Sequence, residues 1–418
     1  MNIPFSNWPK YTDIEAKKIS EILLSGKVNY WTGKECRDFE KEFANWIGTK
    51  YAVSLMNGTV ALDIALKAIN IQPEDEVIVT PRSFIASVSC VVNNNAKPIF
   101  SDIDETSGNI TAVHIKELIT PRTKAIICVH LAGWPCDMDP IMELARENNI
   151  FVIEDCAQAH GAIYKGKKVG SIGHIGAWSF CQDKIITTGG EGGMVTCNDE
   201  KLWNSMWSYK DHGKNYLRAF LENDNKGFRW LHDNFGTNYR MTEIQAAIGR
   251  IQLKYIKEWN IRRRKNAETF IKALSPFTGK NGIVITPGLN CSTCNANKKL
   301  MLESSSSNYK SSDKCSCVHA FYKLYFYVRP ENLKINWTRD RIIKEINNRG
   351  VPCYFGTCSE IYNENAFRGS SLRPRNPLPI AKKLGETSIV LLVHPSLTSV
   401  EIKKTKNVLT EVMTLASK

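Results

Sequence analysis

The chain has 418 residues, of which 43% are hydrophobic, 23% charged and 10% aromatic, with 26 glycines and 16 prolines. This composition excludes a disordered chain, a collagen-like repeat and a coiled-coil rod, and the length suits one large domain with a smaller one. The formal charge of +13 is uneven: residues 1–250 carry 27 basic and 30 acidic side chains, residues 251–418 carry 28 and 12.

Such an asymmetry steers anions toward the C-terminal part. No zinc-finger, RRM or homeodomain-type signature accompanies it, so nucleic acid is not the expected partner. The longest apolar runs, around Ala125–Val129 and Ile389–Val393, have strand length and not the length of a membrane span. The N-terminus shows no basic start followed by an apolar stretch. Thirteen cysteines, an odd number, include Cys128, Cys156 and Cys197 inside apolar runs, and they read as reduced thiols. A cytoplasmic protein is expected.

In chain order, helical spacing over Asp13–Ser25 stops at Gly26, and a second helix over Phe39–Ile47 stops at Gly48. An alternation follows: strand Tyr51–Leu55, helix Val60–Ile69, strand Glu76–Thr80, helix Phe84–Asn93, strand Lys97–Ser101. It continues with helix Val113–Ile119, strand Ala125–His130, helix Met138–Asn148 and strand Ile150–Glu154. These strands are continuous apolar runs, as required when helices cover both faces. The order predicts an α/β domain with a doubly wound parallel sheet.

From Gly176 to Thr196 short strands flank a glycine-rich turn, and Met241–Ile256 opens a long helix that runs on through EWNIRRRKNAETFIKAL. An α+β piece completes the chain: a strand in HAFYKLYFYV, a helix in RDRIIKEINNRG, a strand in VPCYF and a helix over Ser399–Met413. The expected division is 1–255 for the large domain and 256–418 for the smaller one.

Ligands of open parallel sheets sit at the carboxyl ends of strands. After the first strand, Gly58 and Thr59 open a helix, whose free N–H groups and dipole favour an anion; the plainer alternative is a glycine turn with Thr59 as N-cap. After the strand ending at Glu154 come Asp155, Cys156, Ala157, Gln158, Ala159 and His160. A carboxylate there is costly unless paired. Asp155 suits holding a proton on a cationic heterocycle, or else it caps a turn. Then Ser179-Phe180-Cys181-Gln182-Asp183-Lys184 leads to a glycine cluster, Thr187 to Gly193. A lysine between an apolar strand and such a turn is placed for desolvation, which makes an amine nucleophilic. The cluster matches neither a P-loop nor the dinucleotide fingerprint.

An anion-binding turn, a strand-end Asp and then a Lys make the order of a pyridoxal 5′-phosphate (PLP) site. The stretches NGTVALDIALKAI, EDEVIVTPRSFIASV, VIEDCAQAHGAIYKGKKVGSIG, WSFCQDKIITTGGEGGMV and NFGTNYRMTEIQAAIGRIQL carry a specific likeness. So do GKVNYWTGKECRDFEKEFA, PIFSDID and CVHLAGWPCDMDPI. Over nearly its whole length the chain resembles the DegT–StrS family of PLP-dependent nucleotide-sugar aminotransferases.

The resemblance implies PLP-dependent transferase fold type I and a role for each matching residue. Lys184 carries the cofactor covalently and serves as acid and base. Asp155 pairs with the ring nitrogen and Gln158 with the ring hydroxyl. Gly58, Thr59 and Ser179 hold the phosphate, and Phe84 stacks on the ring. Asn238 reaches the phosphate from the neighbouring subunit of a homodimer. Arg240 binds the carboxylate of the amino donor, or else makes an interface salt bridge. His160 is read as structural, and Trp134 and Trp178 as core or pocket wall. The implied reaction moves the amino group of glutamate to a nucleotide-linked keto-sugar, for amino-sugar and surface polysaccharide biosynthesis. A family branch that dehydrates keto-sugars has histidine in place of the lysine, and Lys184 argues against it. Two other readings are a regulatory, inactive member and a PLP enzyme of amino acids only.

Residues 289–317 depart from the family pattern as a Cys/Ser-rich insertion. Cys291, Cys294, Cys315 and Cys317 offer four thiolates for a structural zinc; the alternative is a low-complexity loop with free thiols. No other metal site is expected.

Overall fold

The computed structural model describes residues 5–220, 230–286 and 317–418. Helices α1 (Asp13–Ser25) and α2 (Glu35–Ile47) lead into the alternation β1 (Tyr51–Leu55), α3 (Gly58–Ala68), β2 (Glu76–Val79), α4 (Ala86–Asn93), β3 (Lys97–Phe100), α5 (Ala112–Lys116), β4 (Thr123–Val129), α6 (Met138–Glu147) and β5 (Phe151–Asp155). A small hairpin, β6 (Ile163–Tyr164) and β7 (Lys167–Lys168), precedes β8 (Ile175–Ser179) and β9 (Gly193–Cys197). Helices α7 (Glu200–Lys210), α8 (Tyr216–Phe220) and the 32-residue α9 (Glu243–Leu274) follow.

The seven strands run in the order β1-β9-β8-β5-β4-β2-β3, and β9 alone is antiparallel to its neighbours. The central strands are apolar on both faces. Val77, Val79, Ala125, Ile127 and Ile153 enter one core cluster, while Ile78, Ile126, Cys128 and Val152 enter the other. A sheet buried on both sides needs this, and it explains why these strands read as continuous runs. The fold is the mostly parallel α/β architecture of PLP fold type I.

Helix α1 ends as expected, with Gly26 in the left-handed region at φ 66° and its N–H on the Leu23 carbonyl. Helix α2 starts four residues earlier than its apolar spacing suggests. Its own N-cap, Lys34, offers no capping side chain. Glu243 at the start of α9 serves instead, accepting the N–H groups of Glu35 (2.5 Å) and Cys36 (3.1 Å). A distant carboxylate thus caps α2 and complements its dipole.

The C-terminal part holds an antiparallel sheet, β10 (Val284–Ile285), β11 (Leu324–Val328), β13 (Ser388–Leu391) and β12 (Cys353–Tyr354), in that spatial order. Helices α10 (Arg339–Asn348), α11 (Pro379–Thr387) and α12 (Ser399–Ala416) complete it. Helix α9 serves both parts: Ala246 and Ile256 lie in the core of the first, Ala267, Phe270 and Leu274 in that of the second.

The expected strand HAFYKLYFYV is shortened, because its first residues bond elsewhere. The N–H groups of Ala320 and Tyr322 go to the carbonyls of Gly133 and Ala132, and Phe321 sits at φ 49°. The strand therefore begins only at Leu324. Among the described residues no helix is long and apolar enough to cross a membrane. Of the four cysteines considered for zinc, only Cys317 is described, buried, with the Lys165 N–H on its sulfur. The rest of the 289–317 insertion lies outside the described residues.

Candidate active site

Strands β1, β2, β5 and β8 are mutually parallel, so Leu55, Val79, Asp155 and Ser179 end on one edge of the sheet. The residues singled out in the sequence gather there because their strands finish there. Helix α3 starts against the end of β8. A Cβ on Gly58 would stand 2.5 Å from the Ser179 Cβ, so only glycine lets these two meet. The helix is capped by Asn57, whose side chain accepts the Val60 N–H at 3.0 Å. Thr59 is therefore not the N-cap that its sequence position allowed; its hydroxyl is left for another partner in the first turn.

Asp155 is 5% exposed. Burial pushes its carboxyl above the ordinary value of 3.8, against the pull of the Ser87 hydroxyl, the Ala157 N–H and the nearby Lys184 charge. Ser87 donates to Oδ2 at 2.7 Å and Ala157 to Oδ1 at 3.1 Å. The second bond is the capping turn considered above, so Asp155 caps and still keeps acceptor capacity for a cation. Gln158 accepts the Ala132 N–H at 2.8 Å through Oε1, which orients its amide.

Lys184 follows the β8 end in a tight turn, its N–H on the Cys181 carbonyl. Its amine is not in an apolar slot, as the sequence suggested. The Asp183 carboxylate lies 3.4 Å away, the Tyr322 ring centroid 5.0 Å away, and Trp8 donates to the Lys184 carbonyl at 2.8 Å. Asp183 also accepts from Tyr322 and Lys323, so the shortened strand start of the C-terminal part reaches the lysine's neighbour. Burial alone would raise the Asp183 carboxyl; these partners hold it below its usual value.

Phe84 lies in the loop after β2 and is 66% exposed, so its ring face is available. The 238–240 segment runs beside the end of β1, with Met56 N–H on the Tyr239 carbonyl and a bridge between Leu55 and Arg240. Asn238 itself is exposed. Arg240 is engaged within its own chain, 2.9 Å from Asp211, so the salt bridge considered for it is intramolecular.

His160 is fully buried between the rings of Trp178 and Phe180. Burial first, then the charges of Lys184 and Arg263, push it down to about 3, so it is a neutral core residue. Trp178 and Trp134 are likewise core. His130, Glu154 and Cys156 bring ligand atoms within 4.8 Å of one another. Both nitrogens of His130 and both oxygens of Glu154 are already hydrogen-bonded, which describes a packed structural unit better than a metal centre.

Sequence reasoning missed Ser87, Asp183, Tyr322 and Trp8. Asp183 could have been found as the charged neighbour of the lysine. The other three come from distant segments, and no local pattern marks them.

The geometry fits a PLP-type cofactor. A helix start is kept open by a glycine against a serine, a buried carboxylate has acceptor capacity left, and a lysine and an exposed aromatic ring stand near by. The profile of the DegT/DnrJ/EryC1/StrS aminotransferase family matches residues 9–410, and the chain belongs to this family. The chain is 43% identical over 271 residues, 64% of its length and 70% of the relative's, to a GDP-perosamine synthase of Escherichia coli O157:H7. It is 41% identical over 263 residues, 62% of its length and 68% of the relative's, to a dTDP-3-amino-3,6-dideoxy-alpha-D-galactopyranose transaminase of Aneurinibacillus thermoaerophilus. The crystal structure of an aminotransferase from Psychrobacter cryohalolentis is similar with a TM-score of 0.91 and 56% identity, covering 98% of this chain and 99% of that one.

Proposed function

We propose that the protein is a cytoplasmic homodimeric aminotransferase that takes the amino group of glutamate and delivers it to a nucleotide-linked keto-sugar. The observation that carries this reading is the convergence of Gly58, Ser179, Asp155 and Lys184 at one sheet edge. Relatives named as a GDP-perosamine synthase and as a dTDP-amino-sugar transaminase support the substrate class.

PLP, when bound, supplies the electron sink that makes a Cα–H bond acidic. The protein's own groups do the rest. The first-turn N–H groups of α3 with Thr59 and Ser179 take the phosphate, where the helix dipole favours an anion. Asp155 keeps a proton on the ring nitrogen, Gln158 bonds the ring hydroxyl and Phe84 covers one face. Lys184 would hold the cofactor, and its amine would move the proton on and off the substrate carbon. Asn238 completes the phosphate site of the partner subunit. Arg240 stays the candidate for the donor carboxylate, its guanidinium then divided between that group and Asp211.

The test is the absorbance of the PLP-loaded protein with and without glutamate, beside Lys184→Ala. Bleaching of the visible band by glutamate, its recovery on adding a nucleotide-linked keto-sugar, and no turnover in the variant are expected. A protein that binds no PLP would overturn the reading.

A further inference from the structure

Two serines that belong to neither the strand ends nor the glycine turn stand behind Asp155. Ser87, in the first turn of α4, donates to Asp155 Oδ2 at 2.7 Å, and the Ser83 and Ser87 hydroxyl oxygens lie 2.9 Å apart. Each serine is 2% exposed. A hydroxyl has one proton, and an ionised carboxylate only accepts. The Ser87 proton is therefore committed to Asp155, and Ser83 must be the donor to Ser87. The chain runs one way, Ser83 to Ser87 to Asp155, and serial donation of this kind strengthens the last bond.

We infer that Ser87, backed by Ser83, is a positioning residue that fixes the Asp155 carboxylate for a cationic ring nitrogen. The inference rests on the reading of Asp155 as the ring partner. Asp155 Oδ1 is tied to Ala157 and Oδ2 to Ser87, so rotation of the carboxylate breaks a bond at either oxygen. The other ionisable groups whose fields reach Asp155 are Lys184, His130, Cys90 and Cys156, and none of them is hydrogen-bonded to it. Among the described residues, only Ser87 and Ala157 donate to it directly.

The same short segment carries Phe84, whose carbonyl accepts the Ser87 N–H at 3.2 Å. Residues 83–87 thus present an aromatic face and brace the acid in one rigid turn. A ring that Phe84 covers and Asp155 holds would meet this turn twice, directly at Phe84 and through Ser87 behind the Asp155 carboxylate. Without its donor the carboxylate competes harder for the ring proton, and the cofactor becomes a weaker electron sink.

The experiment measures the PLP dissociation constant by tryptophan quenching, and the visible absorbance band at neutral pH, for wild type, Ser87→Ala, Ser87→Thr, Ser83→Ala and Asp155→Asn. Loss of one hydrogen bond to a charged group predicts a PLP affinity on the order of tenfold weaker in Ser87→Ala. Its band should shift in the sense seen with Asp155→Asn, less far. Ser87→Thr, which keeps the hydroxyl, should restore both, and Ser83→Ala should show a smaller change of the same sign. Ser83→Ala keeps the test available if Ser87→Ala does not fold. If Asp155→Asn alters affinity and band while the serine variants match wild type, the inference falls and the reading of Asp155 stands. If Ser87→Thr is as impaired as Ser87→Ala, packing rather than the hydroxyl matters, and the inference again falls. If Asp155→Asn changes nothing, the reading itself falls.

Discussion

His130 Nε2 lies 3.0 Å from Glu154 Oε2, and both side chains are fully buried. The other His130 nitrogen accepts the Cys136 N–H, so the ring proton sits on Nε2 and is donated to the carboxylate. Glu154 also accepts the N–H groups of Gly170, Ile172 and Gly173 at 2.7–2.8 Å. It adjoins Asp155 on β5, so the two acids point to opposite faces, one pinning a loop and the other held by Ser87 and Ala157. Burial alone would raise the Glu154 carboxyl, but His130 and the three N–H groups hold it below its ordinary 4.5.

Glu154→Gln should therefore destabilise the protein by about 3 kcal/mol, as breaking a buried charged network does. The sign with pH follows from the depressed value. The contribution is complete above pH 4.5 and is lost as pH falls through the folded value. Thermal melting from neutral to acid pH should show a steep acid limb in wild type and a flatter one, starting lower, in Glu154→Gln. Equal acid limbs would refute this.

The glycine contacts give a second prediction. A Cβ on Gly193 would lie 2.2 Å from the Asn57 carbonyl oxygen, and one on Gly58 2.5 Å from the Ser179 Cβ. Both substitutions push the start of α3 away from the sheet. Gly58→Ala and Gly193→Ala should each weaken PLP binding by about tenfold or more, as the loss of well-placed phosphate donors implies. Gly279→Ala, in the C-terminal part, has open space around its Cβ but a φ of 102° that strains any side chain, so it should lower stability and leave PLP affinity unchanged. Equilibrium titration of PLP separates the three.

Asp211 supplies a third. It is 0% exposed and binds both Arg240 and Lys214 at 2.9 Å. If Arg240 receives the donor carboxylate, Arg240→Met should raise KM for glutamate with little change in PLP affinity. Asp211→Asn should shift KM the same way to a smaller extent, by releasing the guanidinium from its fixed position. A glutamate KM that ignores Arg240→Met would leave that residue a purely structural ion pair.

A fourth prediction tests sharing between subunits. Lys184→Ala and Asn238→Ala are each expected to be strongly impaired. Mixed after gentle unfolding and refolding, they should regain about a quarter of wild-type activity, because half of random pairs are mixed and each mixed pair holds one intact site. No recovery would place Asn238 in the site of its own chain.

Much of this was legible because β4 and β5 are apolar on both faces, which AIICV and FVIED announce directly, and because Gly26 marks a helix end. Asp155 stood out because a carboxylate at the end of such a strand is costly unless paired, and Lys184 because it stands between an apolar strand and a glycine-rich turn. The start of α2 was not legible: its cap is Glu243, some two hundred residues away in sequence. Nor was the true start of β11, since Ala320 and Tyr322 spend their N–H groups on the Ala132–Gly133 turn. Helix α7 was overlooked although Asp199 caps it and accepts from Lys201 and Leu202, a local signal that was available. Ser87 reads as an ordinary small residue in a helix, and only folding sets it against Asp155.

Helix α9, at 32 residues, is a run of about 48 Å. One end is anchored through Glu243 and by Arg250 against Glu35, Asp38 and Glu42. The other is embedded in the second core. Between the two, Arg263 donates to the Tyr322 carbonyl, so a single rod of backbone references both cores and also tethers the segment that reaches Asp183 beside the lysine.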